Sequence, residues 1–134
     1  MSGCVRTQRG QSLVEFALTI GALMVLVVGV AQIAIYLHYR TSLSLACREG
    51  AFQAGLAGHS LAEGQQATVD LWQKLEPQAK AISTTATQKQ ALVVVSAHGW
   101  APAIVPVPVP PFTRIPIAAQ CVHTAERFEP GSSP

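Results

Sequence analysis

Few residues of this chain are of types that could catalyse a reaction or bind a metal. The four histidines lie far apart, and neither C-x-x-C nor H-x-x-x-H spacing, which is typical of zinc sites, occurs. No Gly-rich phosphate loop is present. The sequence therefore predicts no catalytic residue, no metal, no cofactor and no small-molecule substrate.

Two of the three cysteines could form a disulfide bond. Cys47 and Cys121 both follow a long apolar segment, whereas Cys4 precedes it. If the compartment beyond that segment is oxidising, a bond between Cys47 and Cys121 would tie the end of the chain to its middle. The disulfide is the favoured interpretation, and two unpaired, buried thiols are the alternative.

One carboxylate, Glu15, lies at the start of the apolar segment. A charge in hydrocarbon costs on the order of 2.5–3.5 kcal/mol at the bilayer centre, so its presence usually marks a functional contact. Ser12-x-x-Glu15 is also a capping box, in which the carboxylate accepts from the Ser12 amide at a helix N-terminus. Local capping and a more distant charge partner are therefore both open explanations.

The apolar segment has the length of a membrane-spanning helix. No residue from Phe16 to Tyr36 is charged, and such a run extends roughly 30 Å as a helix, which matches the hydrocarbon core of a bilayer. A buried core helix is the alternative, but the chain after Tyr36 is too short to enclose a helix that is apolar on every face. We therefore predict a transmembrane helix over about residues 16–37.

The charges flanking this helix indicate its orientation. Arg6 and Arg9 precede it without an acidic residue, so the positive-inside rule favours a cytoplasmic N-terminus and an extracytoplasmic C-terminus. Removing these two from the nine basic residues leaves seven, which balance seven acidic ones, and no basic patch indicates nucleic-acid binding. The apolar run is too long for a cleavable secretory signal. A lipoprotein signal ending at Cys47 does not fit either, because Arg40 separates this cysteine from the apolar run.

The helical pattern continues beyond the membrane. No proline occurs between Leu37 and Pro77, and Gly55 and Gly58 are typical C-terminal residues. We expect one spine helix over residues 11–57. A second helix is predicted to begin at the capping box Ser60-x-x-Glu63 and to end before Pro77.

The rest of the chain favours a small sheet. Residues 91–97 are the best strand candidate, ended by His98-Gly99, and residues 115–121 alternate as a strand pairing with them. Residues 80–90 indicate a loop or weak strand, and the proline-rich residues 101–111 an edge strand or extended connection. The predicted fold is α+β: a long N-terminal helix, then an extracytoplasmic head over residues 58–134 with a short helix and a two- or three-stranded antiparallel sheet.

The N-terminal region resembles that of a prepilin. Gly10, Glu15 and Phe16 have the prepilin spacing directly before a membrane-spanning run, and a short basic tail precedes them. The stretch from Ser44 to Ala51, which ends in Arg-Glu-Gly-Ala, resembles the segment that follows the membrane helix in TadE-like proteins of tight-adherence (Flp-type) pilus assembly. The resemblance covers residues 9 to about 55.

This resemblance implies a mechanism. A membrane prepilin peptidase would remove residues 1–10 as a leader by cutting between Gly10 and Gln11, which makes Glu15 the fifth residue of the mature chain. The new ammonium on Gln11 could then pair with Glu15 of a neighbouring subunit in a low-dielectric setting. Phe16 follows the glutamate in the same motif.

The implied function is structural: a minor pilin or pseudopilin in the cell membrane and the extracellular pilus. Its partners would be other pilins or pseudopilins and the assembly machinery. The alternative is an uncleaved single-pass anchor whose head binds a component of a secretion machine. A third possibility, a membrane-tethered enzyme, has no candidate catalytic residues in the sequence to support it.

Overall fold

The computed structural model of the chain describes residues 6–56, 58–103 and 114–125, with side chains from residue 11 onward. The fold is α+β, as predicted. The chain divides into two units, Met1–Ala34 and Ile35–Pro134, which are described separately below. The elements are α1 (Arg6–Gly55), α2 (Leu61–Leu75), β1 (Ser83–Lys89), β2 (Leu92–Pro102) and β3 (Arg114–Thr124).

The first unit is the N-terminal part of α1. Every side chain from residue 11 to residue 30 is exposed, including the large apolar ones. The most apolar window of this helix has a mean hydropathy of 2.4, and none of it is buried. Because these side chains are exposed, the alternative of a buried core helix is wrong for the residues that the structure describes. By length and composition, the helix can cross a membrane.

The second unit contains a three-stranded antiparallel sheet in the order β1-β2-β3. The two predicted strands pair with each other, but in a shifted register: residues 115–121 lie opposite residues 95–101, with Val95 opposite Cys121. The prediction that His98-Gly99 ends the strand is wrong, because β2 continues to Pro102. Strand β1 pairs with it as far as His98, which lies opposite Ser83, and β3 alone pairs with it from Gly99 to Pro102.

Strand β1 forms where the sequence indicated a loop or weak strand. Its residues are mostly polar and exposed, so no apolar periodicity marks it. It is a strand because its backbone completes the ladder of β2, from Ser83 opposite His98 to Lys89 opposite Leu92. The proline-rich segment predicted over residues 101–111 lies outside the described residues from residue 104 onward.

Helix α2 has the predicted bounds. The Ser60 hydroxyl accepts from the Glu63 amide at 3.2 Å, and the Glu63 carboxylate accepts from the Ser60 amide at 2.7 Å, which completes the capping box. The bond from the Ser60 amide lowers the pKa of the Glu63 carboxyl group. The helix ends at Leu75, and Glu76 is its C-cap immediately before Pro77.

The hydrophobic core of the second unit lies between the helices and one face of the sheet. In β2 every second side chain is buried from Val93 onward, as a one-sided sheet requires. Trp72 of α2 is the largest core side chain, and its indole N–H donates to the carbonyl of Lys80 at 3.2 Å. The core residues are Leu43, Ala46, Cys47, Ala51, Ala54, Trp72, Val93, Val95, Ala97, Ala101 and Ile117.

Small residues allow α1 and α2 to approach closely. A Cβ built on Gly50 would lie 2.5 Å from the carbonyl oxygen of Gly64 and 3.1 Å from Cβ of Thr68. A Cβ built on Gly64 would lie 2.6 Å from the carbonyl oxygen of Gly50 and 3.2 Å from Cα of Ala54. The two helices therefore meet backbone to backbone, and neither glycine can gain a side chain without a shift.

We expect Gly50→Ala to destabilise this unit by roughly 1–3 kcal/mol, because the added methyl group must push the two helices apart. Thermal unfolding of the detergent-solubilised protein, followed by near-ultraviolet circular dichroism of its tryptophans, measures the effect. Gly29→Ala is the matched control, since a Cβ at Gly29 has nothing within 4 Å. Equal melting temperatures for Gly50→Ala and the unaltered protein would contradict the close contact.

Candidate functional site

The residues of the N-terminal motif lie within a continuous helix. Helix α1 begins at Arg6 and passes through Gly10 and Gln11. Ser12 is therefore inside the helix rather than at its N-cap, and the capping box predicted for Ser12 and Glu15 is wrong for the intact chain. The upstream residues extend the helix by more than a turn, so these amides are no longer the terminal ones that need a cap.

Gln11 and Glu15 lie on one face of α1. They are four residues apart on an α-helix, which places their Cβ atoms roughly 5–6 Å from each other. Both are exposed, and Phe16 beside them is 67% exposed. The backbone carbonyl of Glu15 accepts from the hydroxyl of Thr19 at 2.8 Å. A positive charge at residue 11 would therefore be close to the carboxylate of the same helix face.

The structure also brings Cys47 and Cys121 together. Cys47 lies on the face of α1 that meets the sheet, and its thiol donates to the carbonyl of Val95 at 3.2 Å. Val95 is the residue opposite Cys121 in the ladder, and the Cys121 thiol donates back to the carbonyl of Ser44 in α1 at 3.7 Å. Both cysteines are free thiols here, so the disulfide stays a prediction.

The two thiols differ in reactivity. Cys47 is fully buried, whereas Cys121 is partly exposed. Burial, with a further contribution from the adjacent Cys121, raises the pKa of Cys47 to about 12. Cys47 is therefore a poor nucleophile at neutral pH, and Cys121 is the more accessible of the two thiols.

A polar cluster that the sequence analysis missed joins α1 to the end of α2. The Glu76 carboxylate is nearly buried, and its Oε1 accepts from the Ser42 hydroxyl at 3.0 Å and lies 2.8 Å from Nε2 of His38. Tyr39 packs against Trp72 with ring centroids 6.1 Å apart. Burial, and then the nearby Glu76, raise the pKa of Tyr39.

This cluster contains the residue types of a hydrolytic triad but not its geometry. Catalysis would need His38 between the carboxylate and the serine hydroxyl, where it could take the proton of Ser42. Instead, His38 and Ser42 both contact the same oxygen of Glu76. In the sequence, only the four-residue spacing of His38 and Ser42 could have indicated this cluster. The arrangement connects α1 to the end of α2 and does not activate a nucleophile.

Replacing Glu76 should therefore affect stability. We expect Glu76→Ala to lower the free energy of unfolding by roughly 1–3 kcal/mol, because the buried hydroxyl of Ser42 loses its acceptor. Glu49→Ala is the matched control, since Glu49 only accepts from Gln53 one turn along the same helix. The prediction fails if urea-unfolding midpoints of the two variants are the same.

The thiol pair has its own test. We expect protein isolated without reductant from an oxidising compartment to contain a Cys47–Cys121 bond, formed as each thiol gives up a proton and an electron to a thiol oxidant. Cys47→Ser should then shift the mobility on a nonreducing gel, while Cys4→Ser should not. Labelling of both positions as free thiols in the isolated protein would refute the bond.

Comparison with known proteins extends this local picture. The sequence profile of the family described as TadE-like protein matches residues 10–51. No curated protein and no solved structure matches the chain. The matched range contains the N-terminal motif, the whole apolar run and the part of α1 from Ile35 to Ala51 in the second unit. Over residues 10–51 the chain is therefore similar to TadE-like proteins, a family of components associated with Tad pili.

Proposed function

We propose that this protein is a minor pilin or pseudopilin of a Tad (Flp-type) pilus. A prepilin peptidase cuts it after Gly10, and the mature subunit packs among like subunits through its N-terminal helix. The observation that carries the proposal is Glu15, which lies on an exposed, apolar, membrane-length helix four residues from Gln11. The family match over residues 10–51 supports the same assignment.

Cleavage would change the electrostatics of the helix end. It removes the part of α1 from Arg6 to Gly10 and leaves an ammonium on Gln11. Ser12 then lies in the first turn, where the capping box with Glu15 becomes available. A carboxylate near the positive end of the helix dipole is stabilised further. Processing therefore creates both the cap and the cation that the intact chain does not offer Glu15.

Pairing between subunits follows from the same chemistry. In a bundle of apolar helices, an ammonium and a carboxylate that are left alone each carry a desolvation cost of several kcal/mol. An ammonium from one subunit beside Glu15 of the next reduces this cost for both and fixes their relative height. In this proposal the N-terminus starts in the cytoplasm, the head is extracytoplasmic, and the chain performs no catalysis of its own.

The second candidate function is an uncleaved single-pass anchor with an extracytoplasmic binding head in a secretion machine. The compact second unit, which has its own core, favours it. Mass spectrometry of the N-terminus of protein isolated from membranes separates the two functions. Gln11 as the first residue supports the pilin, and an intact leader supports the anchor.

Glu15→Gln tests the pairing itself. We expect normal membrane insertion and cleavage but on the order of tenfold less protein in sheared pili, because a neutral amide loses most of the attraction to the ammonium. Immunoblots of the pilus and membrane fractions give this ratio. Glu49→Gln is the control, since it removes one carboxylate far from the cleavage site. Normal incorporation of Glu15→Gln would contradict the pairing.

A further inference from the structure

The part of α1 in the second unit carries a positively charged outer surface. Leu37, Arg40, Thr41, Ser44, Leu45 and Arg48 line an open groove of about 380 Å³, and we call this surface the arginine face. Both arginines are exposed. Among the described residues, neither guanidinium forms an ion pair with an acidic side chain, since the salt bridges there are those of His38 and His59. Leu45 is 52% exposed between them.

Helix α2 carries the opposite charge on its outer surface. Glu63 and Asp70 are seven residues apart, which places them on the same side of an α-helix, and both are exposed. We call this surface the acidic face. Its two carboxylates are separated by roughly 10 Å along the helix, and Arg40 and Arg48 are separated by roughly 12 Å along theirs. The two faces thus match in charge and in spacing.

We propose that the arginine face docks on the acidic face of a second copy of this chain, with Arg40 near Asp70 and Arg48 near Glu63. This contact rests on the proposed assembly of like subunits and names a surface through which they meet. Exposed leucines beside the arginines would be covered by it. The opposite charges favour a contact between these two faces over a contact between two like faces.

The register of the charges specifies how the two copies are placed. Within one copy α2 runs antiparallel to α1, because Gly64 lies opposite Gly50 and Ala54, and Glu76 lies opposite His38 and Ser42. Interpolation puts Asp70 level with about residue 46 and Glu63 level with about residue 53. Forming both pairs therefore requires a shift of five to six residues between copies, or roughly 8 Å along the helix axis.

Copies at the same height cannot make these pairs. Without the shift, Arg48 would be level with Thr68, which is buried, and Arg40 with Glu76, which is nearly buried and already bonded. A contact between two different faces with an axial shift repeats from copy to copy and generates a filament rather than a closed dimer. The contact therefore belongs to the assembled filament.

Complementary charge reversals test the contact in the full-length chain. Arg40→Glu or Asp70→Arg alone places like charges opposite each other in the contact, so we expect roughly threefold to tenfold less capture of a differently tagged copy of the same variant from crosslinked pili. A mixture of the two variants keeps one native contact and creates one swapped contact, so capture between them should recover. Lys89→Glu, an exposed charge change at the end of β1, is the control and should have no effect.

A photo-crosslinking amino acid at Thr41 provides the second measurement. The structure predicts a dimer in which residue 41 is joined to residues 61–75 of the other copy. Adducts only with lipid, with other proteins or with other segments would overturn the proposal, as would failure of the mixed variants to recover.

The N-terminus, determined in the same samples, separates this proposal from the proposed function. If the chain begins at Gln11 and incorporation depends on Glu15 but the mixed variants do not recover, the docking contact is wrong and the pilin function stands. If the leader is intact while the mixed variants recover, docking stands and the pilin function fails.

Discussion

In the proposed function, the carboxylate of Glu15 on an apolar helix is the constraint on which assembly depends. Glu15 lies on a helix whose side chains from residue 11 to residue 30 are all exposed, so in a bilayer they would face lipid or other helices. A charge in that position needs a partner, a cap or a route to water. In the intact chain Ser12 and Glu15 do not lie at a capping position, because α1 begins at Arg6. Cleavage after Gly10 would supply the partner and the cap in one step.

The second unit depends on a different kind of contact. Two glycines let α1 and α2 meet at backbone distance, and the sheet covers the helices on one side. Around this contact the chain satisfies its buried polar groups locally: the Trp72 indole donates to Lys80, and the Ser42 hydroxyl to Glu76. Cys47 and Cys121 lie in the same interface, where helix and sheet meet. The thiols are thus placed by packing, whichever redox state they adopt.

The outer surfaces are left for other molecules. Along the second unit, the two guanidinium groups of the arginine face form no ion pair with an acidic side chain among the described residues. On the acidic face, Glu63 caps its own helix and lies 3.4 Å from His59, and Asp70 accepts from Gln66 of the same helix. A subunit that assembles with copies of itself needs surfaces of this kind, because shared apolar packing alone does not fix height or rotation. Charge pairs at residue 15 and on the outer faces would set both.

The sequence by itself determined the features that depend on local patterns. The length of the apolar run, the capping box at Ser60, the end of α2 before Pro77 and the pairing of β2 with β3, though not its register, all follow from periodicity and from residues with strong local preferences. Residues 10–51 also carried enough of a family pattern to be recognised.

Only the tertiary structure decided the rest, because it depends on partners distant in the chain. β1 is polar and becomes a strand through the ladder of β2. His98-Gly99 stays extended because β3 pairs with both residues and β1 with His98. The cluster around Glu76 joins residues 34 positions apart, as from Ser42 to Glu76. The tight contact of Gly50 with Gly64 and the neighbouring thiols likewise arise when helices and sheet pack, and no local pattern records which distant side chains will then meet.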